Sequence, residues 1–140
     1  MEYRVFPEGW LVRLDRGEEI LETLSALCAR EDIRLAQVSG IGAAGDVTVG
    51  IFRTADKVYV TRRLLGDFEI AHLTGSVTRQ EGQPYLHLHA TLSNPVSGEL
   101  AAGHLSRAVV SATAEIFLRR WSGEAGRAFS EDVGLNLLDF

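Results

Sequence analysis

The chain has 140 residues, of which 46% are hydrophobic and 24% charged, and its formal net charge is −5 at pH 7. These values fit one globular domain over residues 1–140 and require no second domain. No apolar run approaches the roughly 20 residues that span a bilayer, and the N-terminus lacks a signal-peptide pattern, so we expect a cytoplasmic protein. The acidic charge argues against nucleic acid as a partner.

The first quarter of the chain predicts a strand followed by one helix. Residues 10–14, WLVRL, have the pattern of a strand. Over residues 15–32 the apolar side chains recur at steps of three and four, which predicts an amphipathic helix. Its apolar face consists of Ile20, Leu21, Leu24, Leu27 and Cys28. We expect this helix to pack on a sheet.

Cys28 is the only cysteine of the chain. An intrachain disulfide and a cysteine-based zinc site are therefore excluded. Because Cys28 lies on the apolar face of the predicted helix, we expect a small buried hydrophobic residue rather than a reactive thiol.

From residue 33 onward the pattern is typical of strands. Segments rich in Val, Ile, Thr and aromatic residues are separated by turn residues, and they cover 33–42, 46–52, 57–65, 68–78, 84–93 and 109–121. Together with the helix they predict an α+β fold with an antiparallel or mixed sheet. For residues 130–140 we expect a last helical turn or a segment docked on the domain.

Residues 40–45, GIGAAG, match the glycine pattern of a dinucleotide-binding loop, and Asp67 follows at about the distance of a ribose-binding acid. In such a loop the last glycine begins a helix whose amides hold the pyrophosphate. Residues 46–52 instead have a strand pattern. We therefore disfavour a nucleotide site and predict a tight turn between two strands, with close backbone approach.

Three of the four histidines lie within residues 85–105. Side chains in a strand alternate between its two faces, so His87 and His89 share one face. Residues 93–99, SNPVSGE, favour chain reversal, which would bring His104 beside the pair. Three imidazoles suit Zn²⁺ and leave a fourth position open. The alternative is three polar residues on a solvated sheet face, and for His72 we expect a strand position outside the site.

Several stretches resemble one family over nearly the whole chain. They include residues 38–52, 67–77, 86–94 and 102–117. These segments are similar to the plants-and-prokaryotes conserved (PPC) domain in its free-standing prokaryotic form. The resemblance implies an α+β domain with a strongly curved sheet, a homotrimer, and a metal held by histidines of the H-L-H and G-G-H-L motifs, here His87, His89 and His104.

The chain departs from the family pattern at two places. Ala102 replaces the first glycine of G-G-H-L, which raises a question about the local backbone because alanine does not readily take a positive φ. The Arg-Gly-Arg-Pro minor-groove binder of the plant members is also missing from these 140 residues. Since the basic pairs at 62–63 and 119–120 fit solvated strand positions, we disfavour DNA binding.

The resemblance extends in fold to acetolactate decarboxylase, in which zinc acts as a Lewis acid on the substrate oxygens. Two function classes follow: a module that binds a small ligand at the metal or a protein partner, and a small lyase acting on an oxo or hydroxy acid. Glu69 and Glu115 are the candidate proton donors of the lyase, although each fits a structural or subunit-contact role better. We favour the binding module, since no acid-base pair stands out beside the histidines.

Overall fold

One helix and eight strands build the domain, and the computed structural model describes residues 1–140. The elements are β1 (Glu2–Phe6), β2 (Gly9–Asp15), α1 (Ile20–Arg30), β3 (Ala36–Arg53), β4 (Val58–Gln80), β5 (Gln83–Asn94), β6 (Glu99–Arg120), β7 (Gly126–Ser130) and β8 (Leu135–Asp139). The expected α+β fold with one main amphipathic helix is confirmed. The helix has 11 residues and is not long enough to span a membrane.

Six strands form one antiparallel sheet in the order β1-β2-β6-β3-β4-β5. Strand β5 also pairs with β6, so the four longest strands close into a ring. Bulges interrupt the pairing of β3 with both β4 and β6. Because a bulge bends its strand and increases the local twist, these positions help the sheet to curve into the closed ring, as the family resemblance implies.

The predicted turn at residues 40–45 is wrong, because this segment lies inside the 18-residue strand β3. Register shifts between Gly40 and Gly42 and between Ala44 and Asp46 mark bulges. A Cβ atom on Gly42 would lie 2.7 Å from Cα of Ala114 on β6. The glycines therefore serve the predicted close backbone approach, but within a continuous strand. In the same way, β4 joins the two predicted segments 57–65 and 68–78.

Helix α1 packs its apolar face against β5 and β6. Glu19 caps the helix by accepting a hydrogen bond from the Glu22 amide at 2.7 Å, and it accepts a second from the Ala108 amide of β6 at 2.8 Å. Cys28 is fully buried, as predicted, and burial raises the pKa of its thiol to about 12. The Glu19 carboxylate thus accepts a hydrogen bond from the helix N-terminus and joins the helix to the sheet.

The C-terminal segment forms the hairpin β7–β8. Of the two expectations for residues 130–140, the helical turn is wrong and the docked segment is confirmed. The Arg79 amide of β4 donates to the Ala125 carbonyl at 2.9 Å, and Nζ of Lys57 donates to the Glu131 carbonyl. The hairpin is therefore held beside β4 and the β3–β4 turn.

Candidate metal centre

Strand β5 presents two histidines on its outward face. Leu88 is fully buried and Leu86 packs against the core, so the alternate positions His87 and His89 face away from it. His87 is half-buried and His89 is exposed. The predicted strand alternation is confirmed.

The third histidine reaches the pair through the turn between β5 and β6. The side-chain oxygen of Asn94 accepts hydrogen bonds from the amides of Val96 and Ser97, both at 2.9 Å. This turn returns the chain antiparallel, and His104 comes to lie directly opposite His89. The predicted chain reversal thus brings all three imidazoles together.

The three imidazoles form a compact cluster. Their ring centroids lie 5.3 Å apart for His87 and His89, 5.3 Å for His87 and His104, and 5.7 Å for His89 and His104. One ligand atom from each ring lies within 4.8 Å of the others. Tetrahedral zinc with Zn–N bonds of about 2.0 Å needs separations of roughly 3.3 Å, which modest side-chain rotations can supply.

The donor atoms suit a metal in two further respects. The Nδ1 atom of His104 is buried and has no hydrogen-bond partner in the protein. Burial, reinforced by the charge of His89, lowers the pKa of His104, while burial and the charges of His104, Arg127 and His89 lower the pKa of His87 to about 4. Both rings are therefore neutral at pH 7, the form in which imidazole binds metals.

Two glycines allow the backbones to approach at the cluster. A Cβ atom on Gly75 of β4 would lie 1.9 Å from the His87 carbonyl oxygen, and one on Gly103 would lie 2.5 Å from the Gly50 carbonyl oxygen of β3. Gly103 also has a positive φ of 154°. Ala102, by contrast, does not have a positive φ, so its replacement of the family glycine leaves the strand undisturbed.

The remaining candidate residues lie outside the cluster. His72 is exposed in β4, where it pairs with Thr91. Glu69 pairs with Ser93, and both Glu69 and Glu115 are exposed. The group of side chains that could hold a metal contains none of these three residues. The structure therefore brings together His87, His89 and His104 only.

Two aromatic rings and one arginine border the cluster. The ring of Tyr59, near the tip of the β3–β4 hairpin, lies 5.3 Å from that of His104. Arg127 from β7 lies over the ring of Tyr85, with 4.5 Å between its Cζ atom and the ring centroid. No local sequence pattern indicates Tyr59 or Arg127, because each is far from the histidines along the chain. Strand alternation could have indicated Tyr85, two residues before His87.

The chain belongs to the Plants and Prokaryotes Conserved (PCC, or PPC) domain family, whose model matches residues 2–122. A Bacteroides thetaiotaomicron protein described as a candidate DNA-binding protein superposes with a TM-score of 0.94 at 31% identity, covering 99% of this chain and 96% of its own. A metal-containing protein from Archaeoglobus fulgidus superposes with a TM-score of 0.88 at 32% identity, covering 99% of this chain and 97% of its own. A PPC protein from Pyrococcus horikoshii superposes with a TM-score of 0.87 at 31% identity, covering 99% of this chain and 95% of its own. No curated protein is significantly similar in sequence.

Proposed function

We propose that the chain binds one divalent metal ion, zinc, through His87, His89 and His104. The observation that carries this proposal is the convergence of three imidazoles from two paired strands, one of which keeps a buried Nδ1 atom without a partner. Neutral imidazole is a common zinc ligand, and the chain's only cysteine is buried elsewhere. The metal-containing relative from Archaeoglobus fulgidus supports the same conclusion.

Three protein ligands leave a fourth position open on zinc, and this position can take water or a small ligand. Because His89 is exposed, the cluster lies at the protein surface, where a small ligand can approach it. We therefore propose a module that binds a small ligand at the metal. Zinc would act there as a Lewis acid towards a ligand oxygen.

Metal analysis of protein purified without a histidine tag tests the proposal. After equilibration with zinc, we expect one ion per chain in the wild type and in His72→Ala, the matched control, which removes an exposed histidine outside the cluster. In His89→Ala we expect most of the zinc to be lost, with circular dichroism reporting whether the variant folds. Full zinc content and affinity in folded His89→Ala would refute the assignment.

We also propose that the protein is a homotrimer, as the family resemblance implies. Apolar side chains remain exposed on the outward face of the sheet, including Phe6, Ile41 and Phe117, and Ile41 is 58% exposed. Such a surface favours self-association. Light scattering at micromolar concentration should give three times the chain mass, and a monomer mass would refute this proposal.

The lyase alternative has less support. A lyase of the acetolactate decarboxylase kind would use a proton donor beside the metal, whereas Glu69 and Glu115 lie outside the cluster. The relation to acetolactate decarboxylase itself stays a prediction. Release of CO₂ from a small oxo or hydroxy acid by the zinc-loaded protein, lost in His89→Ala, would favour the lyase.

DNA binding is the third candidate, suggested by the relative from Bacteroides thetaiotaomicron. In this chain Arg62 pairs with Glu99, while Arg63 pairs with Asp46. These ion pairs reduce the positive charge available to phosphates. We therefore propose that any DNA binding is weak and non-specific. Fluorescence anisotropy in about 150 mM salt should show no binding tighter than roughly micromolar, and tighter binding would contradict us.

A further inference from the structure

Arg127 is a half-buried cation without a carboxylate partner. Its Nε atom donates to Oγ1 of Thr78 at 2.8 Å and its Nη1 atom donates to the Asn136 carbonyl at 2.9 Å. These contacts fix the guanidinium in place but use only two of its five N–H groups. Both partners are neutral, so the positive charge stays uncompensated.

Comparison with the other basic side chains shows that this arrangement is unusual. Of the lysine and arginine residues, only Arg79 and Arg127 are not exposed. Arg79 has the carboxylate of Asp32 as its partner, as expected for a cation withdrawn from water. Arg127 has the ring of Tyr85 and neutral oxygens instead. Its charge therefore favours an anion from outside the protein.

The guanidinium lies beside the histidine cluster. Tyr85 and His87 are two residues apart in β5, so their side chains share the outward face at a spacing of about 7 Å. Thr78, which holds Arg127, is the strand partner of Tyr85. An anion held by Arg127 thus lies within reach of a metal on the histidines.

We propose that Arg127 binds the carboxylate of a small hydroxy or oxo acid whose second oxygen occupies the open position of the metal. The inference rests on the metal site proposed above. A guanidinium presents paired N–H groups that match a carboxylate, and the open position of the metal can coordinate the second oxygen. A single unpaired cation matches a monoanion better than a dianionic phosphate.

The proposal also gives the C-terminal hairpin a role in ligand choice. Arg127 lies in β7, beyond residues 2–122 that match the family model. The metal-binding histidines come from within the family domain, while the anion-binding residue comes from the segment that follows it. Ligand specificity would then depend on how this hairpin docks against β4.

Calorimetric titration of the zinc-loaded protein with glycolate tests the proposal, with inorganic phosphate as the comparison anion. We expect glycolate to bind the wild type, and Arg127→Gln to weaken its binding about 10- to 100-fold, the size of a lost charge-assisted hydrogen bond. The control Arg16→Gln makes the same charge change at an exposed arginine and should bind glycolate like the wild type. Zinc content should remain one ion per chain in all three proteins.

A separate variant allows for the structural contacts of Arg127. Arg127→Lys keeps the charge but loses the planar fork, so we expect an intermediate loss of glycolate affinity. Equal glycolate affinity in wild type and Arg127→Gln, no glycolate binding to zinc-loaded wild type, or preference for phosphate would overturn the inference while leaving the metal site intact. A wild type that binds no zinc would instead overturn the metal site, and with it this inference.

Discussion

Replacement of Gly103 by alanine should disturb both the fold and the metal site. The added Cβ atom would lie 2.5 Å from the carbonyl oxygen of Gly50, about 0.9 Å inside the 3.4 Å at which ordinary contacts begin. Gly103 precedes the proposed metal ligand His104, which pairs with Gly50 across β3 and β6. Relief of the overlap therefore requires separating the two strands at the point where His104 is held.

Two costs add in this variant. Overpacking a well-packed site costs about 1–3 kcal/mol, and a positive φ on a non-glycine residue costs about 1 kcal/mol more. The sum is about 2–4 kcal/mol. At roughly 4 °C per kcal/mol for a domain of this size, the metal-free variant should melt about 8–16 °C below the wild type. Its zinc affinity should fall as well, because His104 moves with the strand.

Gly98→Ala is the matched control for this effect. Gly98 has a positive φ of 76°, but a Cβ atom there would meet nothing within 4 Å. We expect a loss of about 1 kcal/mol and no change in zinc affinity. Thermal melts at one protein concentration and zinc titrations compare the two variants with the wild type. Equal destabilisation by Gly98→Ala and Gly103→Ala, or unchanged zinc affinity in Gly103→Ala, would refute the close-approach argument.

Two further predictions concern titration. The guanidinium groups of Arg63 and Arg107 lower the pKa of Asp46 to about 2, below its ordinary 3.8, so the stability from these contacts is present above about pH 4 and disappears towards pH 2. At pH 7, Asp46→Asn should therefore unfold at a lower urea concentration than the wild type, whereas at pH 2 the two unfolding midpoints should coincide. A difference between the midpoints that persists at pH 2 would contradict this prediction. Cys28, with a pKa of about 12, should react with a thiol reagent at pH 8 only after unfolding, and labelling of the native protein would refute its burial.

The parts of the structure that depend on local pattern were predictable from the sequence. The spacing of apolar residues predicts α1, and strand alternation places His87 and His89 on one face. The turn residues after Asn94 predict the return of His104. Each of these features is determined within about twenty residues of the chain.

The parts that depend on distant partners were not predictable. Whether the glycines at 40–45 form a turn or bulges depends on the pairing of β3 with β4 and β6, including the close approach of Gly42 to Ala114, which no local pattern indicates. Arg127 reaches the cluster because Thr78 and Asn136 hold it, and these residues are separated by most of the second half of the chain. Such contacts become visible only when the pairing of strands is known.

X-ray absorption spectroscopy at the zinc edge tests the central claim most directly. On wild-type protein loaded with one equivalent of zinc, the proposed site predicts three nitrogen ligands at about 2.0 Å with the outer-shell scattering of imidazole, and one further light atom in the fourth position. The same spectrum should appear in His72→Ala, whose missing imidazole lies outside the cluster. Sulfur scattering at about 2.3 Å, or a shell of oxygens without imidazole, would contradict a zinc centre held by His87, His89 and His104.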